Sequence, residues 1–145
     1  MNPLKYNPLK SNFESEHIHE SEVKSFVNEW LRNVNEENVS AIVNMYSRNA
    51  ILLPTLSSQI CIGREEIQRY FIQFLGKEEL QGRITKMYVQ ILDDTALASG
   101  EGIIKYRNSS QKNSREVKVD FRDTCAIQKG TEGWHIINHH SSLVP

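Results

Sequence analysis

The sequence predicts an α+β fold in which helices cover one face of an antiparallel sheet. In the first half of the chain, apolar residues recur at three- and four-residue steps, which is the period of an amphipathic helix. From Arg83 onward they alternate with polar residues, which is the period of a half-buried strand. Helices that precede long strands and short turns favour helices on one side of an antiparallel sheet. The length of 145 residues is that of a single domain.

Three helices are predicted ahead of the long strands. The apolar residues of the first are Val23, Phe26, Val27, Trp30, Leu31 and Val34. A short second helix, which Asn38 caps, carries Val39, Ile42, Val43 and Tyr46. The third follows Gly63, ends at Gly76 and carries Ile67, Tyr70, Phe71, Phe74 and Leu75. Between the second and third, residues 50–54 end at a proline and are too short for a helix, so they predict a strand.

Four strands, two turns, a loop and an arm complete the predicted chain. The strands cover residues 84–92, 96–107, 116–128 and the segment from Trp134 onward. The turns lie at residues 93–94 and 130–133, and the polar residues 108–114 form a loop. Residues 1–19 hold few large apolar side chains and two Asn-Pro-Leu-Lys copies, so they predict a flexible N-terminal arm before a domain of residues 20–145.

Composition excludes several classes of function. Lysine and arginine number 17 against 18 acidic residues, so no overall field attracts nucleic acid or an anionic membrane. No apolar run is long enough to span a membrane, and the start lacks the apolar stretch of a signal peptide, which favours a cytoplasmic protein. No glycine-rich phosphate loop is present, and His17 and His19 have no third ligand near them. We therefore expect neither a cofactor nor a metal.

The last two predicted strands change from apolar to polar along their length. In the first of them, the face that holds Phe121 and Cys125 is apolar except for Asp123. If Ile127 aligns with Trp134, this face lies beside one face of the terminal strand. That face consists of Trp134, Ile136, Asn138, His140 and Ser142. Such a sheet lines a cavity that is apolar at one end and hydrogen-bonding at the other.

Other interpretations of these polar residues stay open. Histidine and asparagine near a strand end commonly satisfy loop backbone, and Asp123 can instead reach solvent or pair with an arginine. A Ser-His-Asp triad is disfavoured because neither Ser141 nor Ser142 lies on a sharp strand-to-helix turn. Metal binding by His139 and His140 together is disfavoured because adjacent strand residues point to opposite faces.

The order of these segments resembles the nuclear transport factor 2-like superfamily. The resemblance covers residues 20–145 and rests on MYSRNAILLP, LDDTALASG and above all the final GWHIINHHSSLVP. Within the superfamily, the chain is most similar to the SgcJ/EcaC-type group and to the calcium/calmodulin-dependent protein kinase II association domain. The resemblance implies a cone-shaped, curved antiparallel sheet wrapped around three N-terminal helices, a pocket in each subunit, and assembly through the outer face of the sheet.

The resemblance and the strand faces together assign expected roles to residues. The expected acid–base residues are Asp123 and His140. The expected ligand-binding residues are Asn138, Ser142, Tyr46, Tyr88, Phe121, Cys125 and Trp30. The expected homodimer contacts are Arg122, Thr124, His139 and Ser141.

Three functions follow from these expectations. The favoured one is a small homodimeric domain whose pocket binds a mostly apolar small molecule or which serves assembly. The second is an acid–base isomerase or dehydratase that uses Asp123 and His140. The third is an association module of a larger protein. The superfamily includes ketosteroid isomerase, scytalone dehydratase and limonene epoxide hydrolase besides members that only bind or assemble, so the fold alone does not choose among them.

Overall fold

The structure is a computed structural model that describes residues 18–108 and 115–145. Its helices are α1 (Glu20–Asn35), α2 (Val39–Asn44) and α3 (Gly63–Phe74). Its strands are β1 (Tyr46–Leu53), β2 (Cys61–Ile62), β3 (Glu78–Leu92), β4 (Thr95–Arg107), β5 (Glu116–Gly130) and β6 (Gly133–Leu143). The predicted arm lies outside the described residues except for residues 18–19, and so does the predicted loop except for residue 108.

The six strands form one curved, open sheet in the order β2-β1-β6-β5-β4-β3. All neighbours are antiparallel except β1 and β6, which run parallel. Helix α1 packs on β3 and α3 packs on β1, so the helices cover one face of the sheet. The α+β class is confirmed, and the one parallel pair is an addition to the predicted antiparallel sheet.

The core lies between the helices and the covered face of the sheet. Its largest fully buried side chains are Tyr46, Phe71, Ile42, Leu52, Ile67, Ile127, Ile136 and Val23. Both cysteines are free and buried, so they pack as small apolar groups. Asn38 caps α2 as predicted, because its side chain accepts a hydrogen bond from the Ala41 backbone N–H at 3.1 Å.

Tyr46 is the main correction to the predicted elements. The three- and four-residue spacing placed it on the second helix, but α2 ends at Asn44 and Tyr46 begins β1. Its backbone lies opposite Ile136 of β6, and its side chain is fully buried. The pairing with β6 and the burial of the ring outweigh the helical period, which is a weak local preference.

Two glycines of β4 permit the sheet to bend. The register of β3 and β4 shifts between Ile84, which lies opposite Gly102, and Lys86, which lies opposite Glu101 and next to Met87, the partner of Gly100. A Cβ on Gly100 would lie 2.4 Å from the Lys86 carbonyl oxygen, and one on Gly102 would lie 2.6 Å from that of Arg83. The β3 backbone approaches β4 too closely for a side chain at either position. This bend curves the sheet around α1.

Candidate functional site

A β-bulge in β6 decides which histidine faces the helices. Ile127 of β5 lies opposite Ile136, whereas the next residue, Ala126, lies opposite Asn138, so Ile137 is an extra residue. An extra residue reverses the alternation of side chains beyond it. His139 is therefore buried with 4% exposure, and His140 is exposed on the opposite face.

A chain of hydrogen bonds runs through His139. The Trp30 indole N–H donates to the Tyr46 hydroxyl over 3.2 Å, and that hydroxyl lies 2.9 Å from His139 Nδ1. On the other side of the ring, His139 Nε2 lies 3.0 Å from Asp123 Oδ2. The Trp30 ring also packs edge-on against the imidazole, with 5.5 Å between ring centroids. Helix α1, β1, β5 and β6 thus each contribute one member of the chain.

The direction of these hydrogen bonds assigns the protons. The Trp30 N–H can only donate, so the Tyr46 oxygen accepts from it. The buried Tyr46 O–H also needs an acceptor, and His139 Nδ1 lies within hydrogen-bond distance, so the Tyr46 proton is donated there. Nδ1 is then an acceptor, and Nε2 carries the proton that is donated to Asp123. Burial raises the pKa of the Tyr46 hydroxyl well above its ordinary 10.0, which keeps it protonated as this assignment requires. In this arrangement His139 accepts at Nδ1 and donates from Nε2, and Asp123 Oδ2 accepts.

Two hollows in the interior meet at Asp123 and His139. The α1 hollow has a volume of about 20 Å³. The residues that line it but not the other hollow are Phe26, Val27, Ile84, Cys125 and Ile136. The α3 hollow has a volume of about 40 Å³. The residues that line it but not the α1 hollow include Thr55, Tyr70, Phe71, Phe74, Ile104 and Ser141. Trp30, Phe121, Asp123 and His139 line both. Volumes of this size admit water or a chemical group of a few atoms.

The polar groups of the lining are few. The Ser141 hydroxyl lies opposite Asp123 and is hydrogen-bonded to the Thr55 hydroxyl. Burial raises the pKa of the Cys125 thiol well above its ordinary 9.0, and the nearby carboxylate of Asp123 acts in the same direction. Cys125 is therefore a neutral thiol and a poor nucleophile. Asp123, whose side chain is 21% exposed, is the one carboxylate among the residues that line the two hollows.

The structure brings together only part of the predicted site. Trp30, Phe121, Cys125 and Asp123 line the hollows, where they were expected. Tyr46 lies behind His139 and contacts it rather than the space. The predicted alignment of Ile127 with Trp134 is wrong, since Ile127 lies opposite Ile136.

The predicted placements on β6 are reversed, whereas Arg122 and Thr124 of β5 lie on the outer face, where they were expected. His140, Asn138 and Ser142 were expected in the pocket, but they are exposed, and Thr124 and Arg122 of the outer face lie opposite His140 and Ser142. His139 and Ser141 were expected at a dimer contact, but they lie inside. Tyr88 was expected in the pocket and is 66% exposed. The bulge at Ile137 causes the reversal on β6, because every β6 residue beyond it changes face.

Thr55 was missed by the sequence interpretation. It follows the proline that ends β1, and only the parallel pairing of β1 with β6 brings it to Ser141. A larger and more open hollow, of about 590 Å³, lies outside the core, where Ser57, Cys61, Arg69 and Tyr70 are among its lining residues. It shares Tyr70 with the α3 hollow but contains neither Asp123 nor His139.

Residues 18–108 and 115–145 contain neither a metal-binding cluster nor a helix that could cross a membrane. Within those ranges, no group of three or more histidine, cysteine, aspartate or glutamate side chains is arranged to hold a metal ion. None of the helices in the same ranges has the length and apolar character needed to cross a membrane.

Comparisons with known proteins identify the family. A protein from Xanthomonas campestris assigned as a calcium/calmodulin dependent protein kinase II association domain is 33% identical, with 86% of each chain covered and a TM-score of 0.76. A protein from Streptomyces avermitilis assigned as a dehydratase of the nuclear transport factor 2-like family is 16% identical, with 84% of this chain and 93% of that chain covered and a TM-score of 0.73.

A ketosteroid isomerase-like protein from Erwinia carotovora is 13% identical, with 84% of this chain and 93% of that chain covered and a TM-score of 0.67. At such identities, the last two similarities show the fold alone. The comparison of this chain with curated proteins found no match. The family model of the calcium/calmodulin dependent protein kinase II association domain matches residues 19–145, which confirms the resemblance noted in the sequence. The chain belongs to the calcium/calmodulin dependent protein kinase II association domain family.

Proposed function

We propose that this association-type domain assembles through the outer face of its sheet and binds a small, mostly apolar molecule in its interior. The observation that carries the binding proposal is the carboxylate of Asp123, which His139 holds where the α1 and α3 hollows meet. A ligand that donates a hydrogen bond to Asp123 and fills the apolar lining satisfies both parts of this site.

Isoleucine methyl groups provide a test of interior binding. Ile84 lines the α1 hollow and Ile104 lines the α3 hollow, whereas Ile72 is 57% exposed on α3. In methyl NMR titrations with small fragments that carry one hydroxyl or amine, we expect bound fragments to shift the Ile84 or Ile104 methyl signals and to leave Ile72 unchanged. Fragments that shift only Ile72, or that shift no isoleucine methyl, would contradict the proposal.

Acid–base catalysis is the second candidate function, and the orientation of Asp123 favours it. Both nitrogens of His139 are engaged by Tyr46 and Asp123, so His139 acts as a positioning residue and Asp123 is the group that meets a substrate. Asp123 would take a proton from a carbon next to a carbonyl and return it to the product. His140 has no part in this candidate because it lies on the outer face. If no carbonyl fragment that binds in the interior exchanges its hydrogen for deuterium in D₂O, this candidate fails.

The outer face of the sheet supports the assembly proposal. It carries Arg122 and Thr124, which are exposed, and Thr124 lies 3.1 Å from the Ser99 hydroxyl on the neighbouring strand. The described helices pack on the opposite face, so this face can meet a second copy of the chain. Closed pairing of two identical faces is the commonest form of homo-oligomer.

A charged substitution at the centre of the outer face tests the homodimer. Thr124→Arg places a long cation beside Arg122, and two copies of the face would then repel each other. We expect the wild type to sediment as a dimer at about 10 µM, as a stable interface of standard size requires, and Thr124→Arg to sediment as a monomer. Ser57→Arg, away from the sheet, is the control that should remain dimeric. A monomeric wild type would contradict the homodimer.

A further inference from the structure

We propose that the ligand of the interior site is a small organic cation, a protonated amine with an apolar body. This inference rests on the proposed interior binding and names the class of molecule bound. It starts from the charge at the point where the hollows meet. Because Nδ1 of His139 accepts the Tyr46 proton, the ring offers Asp123 a single N–H and no positive charge.

The lining offers no cation to balance this charge. Among the residues that line the two hollows, Asp123 is the one that carries a formal charge. Within residues 18–108 and 115–145, the ion-pair or hydrogen-bond partner of its carboxylate is His139. A carboxylate in a mostly apolar lining is costly unless a donor or a cation meets it. A protonated amine supplies both, through a charge-assisted N–H hydrogen bond.

The aromatic lining adds a second attraction for a cation. Trp30 and Phe121 line both hollows together with Asp123, and Tyr70, Phe71 and Phe74 line the α3 hollow. The face of an aromatic ring attracts a cation, and the attraction grows when water is excluded. A carboxylate or phosphate ligand would instead be repelled by the charge of Asp123.

The size of the hollows sets the size of the bound group. With volumes of about 20 and 40 Å³, they admit an ammonium head and a short chain, but no bulky ring system in the described arrangement. The Ser141 and Thr55 hydroxyls in the α3 hollow retain acceptor capacity beside their mutual hydrogen bond, so a second N–H of the ammonium can be accepted there.

Three probes of matched length test the charge preference in the wild-type protein. n-Butylamine is cationic at pH 7, 1-butanol is neutral and butyrate is anionic, and all three are followed through the Ile84 and Ile104 methyl signals. We expect butylamine to bind at least about tenfold more tightly than 1-butanol, and butyrate to leave both signals unchanged. If 1-butanol binds as tightly as butylamine, or if butyrate binds, the cation inference is wrong while interior binding stands. If none of the three shifts these signals, the cation inference is overturned, and the fragment titration then decides separately whether interior binding stands.

Two aspartates on one strand supply the variant and its control. Asp123→Asn keeps the shape and removes the charge, and we expect it to abolish the preference for butylamine over 1-butanol. Asp120→Asn removes an exposed charge three residues away on β5 and should keep the preference. A preference that survives in Asp123→Asn, or one that is lost equally in both variants, would overturn the inference.

Discussion

Replacement of Tyr46 with phenylalanine should lower the free energy of unfolding by about 1–3 kcal/mol, because it leaves buried polar groups without partners. The hydroxyl of Tyr46 accepts from the Trp30 N–H and donates to His139 Nδ1. Trp30 is half-buried, so its N–H can donate to a water molecule in the variant. His139 is buried, so water cannot easily replace the hydrogen bond that its Nδ1 loses. Most of the loss should therefore arise at His139. Urea unfolding followed by circular dichroism measures it.

Tyr88→Phe is the matched control for this prediction. The same hydroxyl is removed there from a side chain that is 66% exposed on β3, so the expected change is within about 0.5 kcal/mol. Equal stabilities of the two variants would show that the Tyr46 hydroxyl is not an essential link between Trp30 and His139.

Gly102→Ala should lower the free energy of unfolding by about 1–3 kcal/mol, because the added methyl group would overlap with atoms that cannot all move away. The added Cβ would lie 2.4 Å from the end of the Phe121 ring and 2.6 Å from the Arg83 carbonyl oxygen. The ring can rotate away, but the carbonyl belongs to the β3 backbone and can move only if the bend of the sheet changes. Because Phe121 lines both hollows, its rotation should also perturb the Ile84 and Ile104 methyl signals.

Gly130→Ala serves as the control in the same sheet. A Cβ there would meet only the Gly133 carbonyl oxygen at 4.0 Å, which is an ordinary contact, so its unfolding free energy should remain close to that of the wild type. Equilibrium unfolding in urea compares the two variants. If Gly102→Ala is no less stable than Gly130→Ala, the close approach of β3 to β4 is not what requires glycine at residue 102.

The sequence by itself determined the class of the fold and most of its elements. Hydrophobic spacing is set by the geometry of each element, so the three helices and the long strands could be predicted from it. The cap at Asn38 was also predictable, since a side chain there reaches a backbone N–H of its own helix. The choice of Asp123 as the acidic group among the apolar residues of β5 followed from alternation along a strand that has no bulge before it.

Only the tertiary structure decided which groups surround Asp123. The bulge at Ile137 lies between two strands and has no signal in the local pattern of GWHIINHHSS, yet it turns His139 inward and His140 outward. Tyr46 and Thr55 reach the site because β1 pairs with β6 across more than eighty residues of chain. Alternation is a property of one strand, whereas register and bulges depend on the partner strand, and a one-residue difference in register exchanges the two faces.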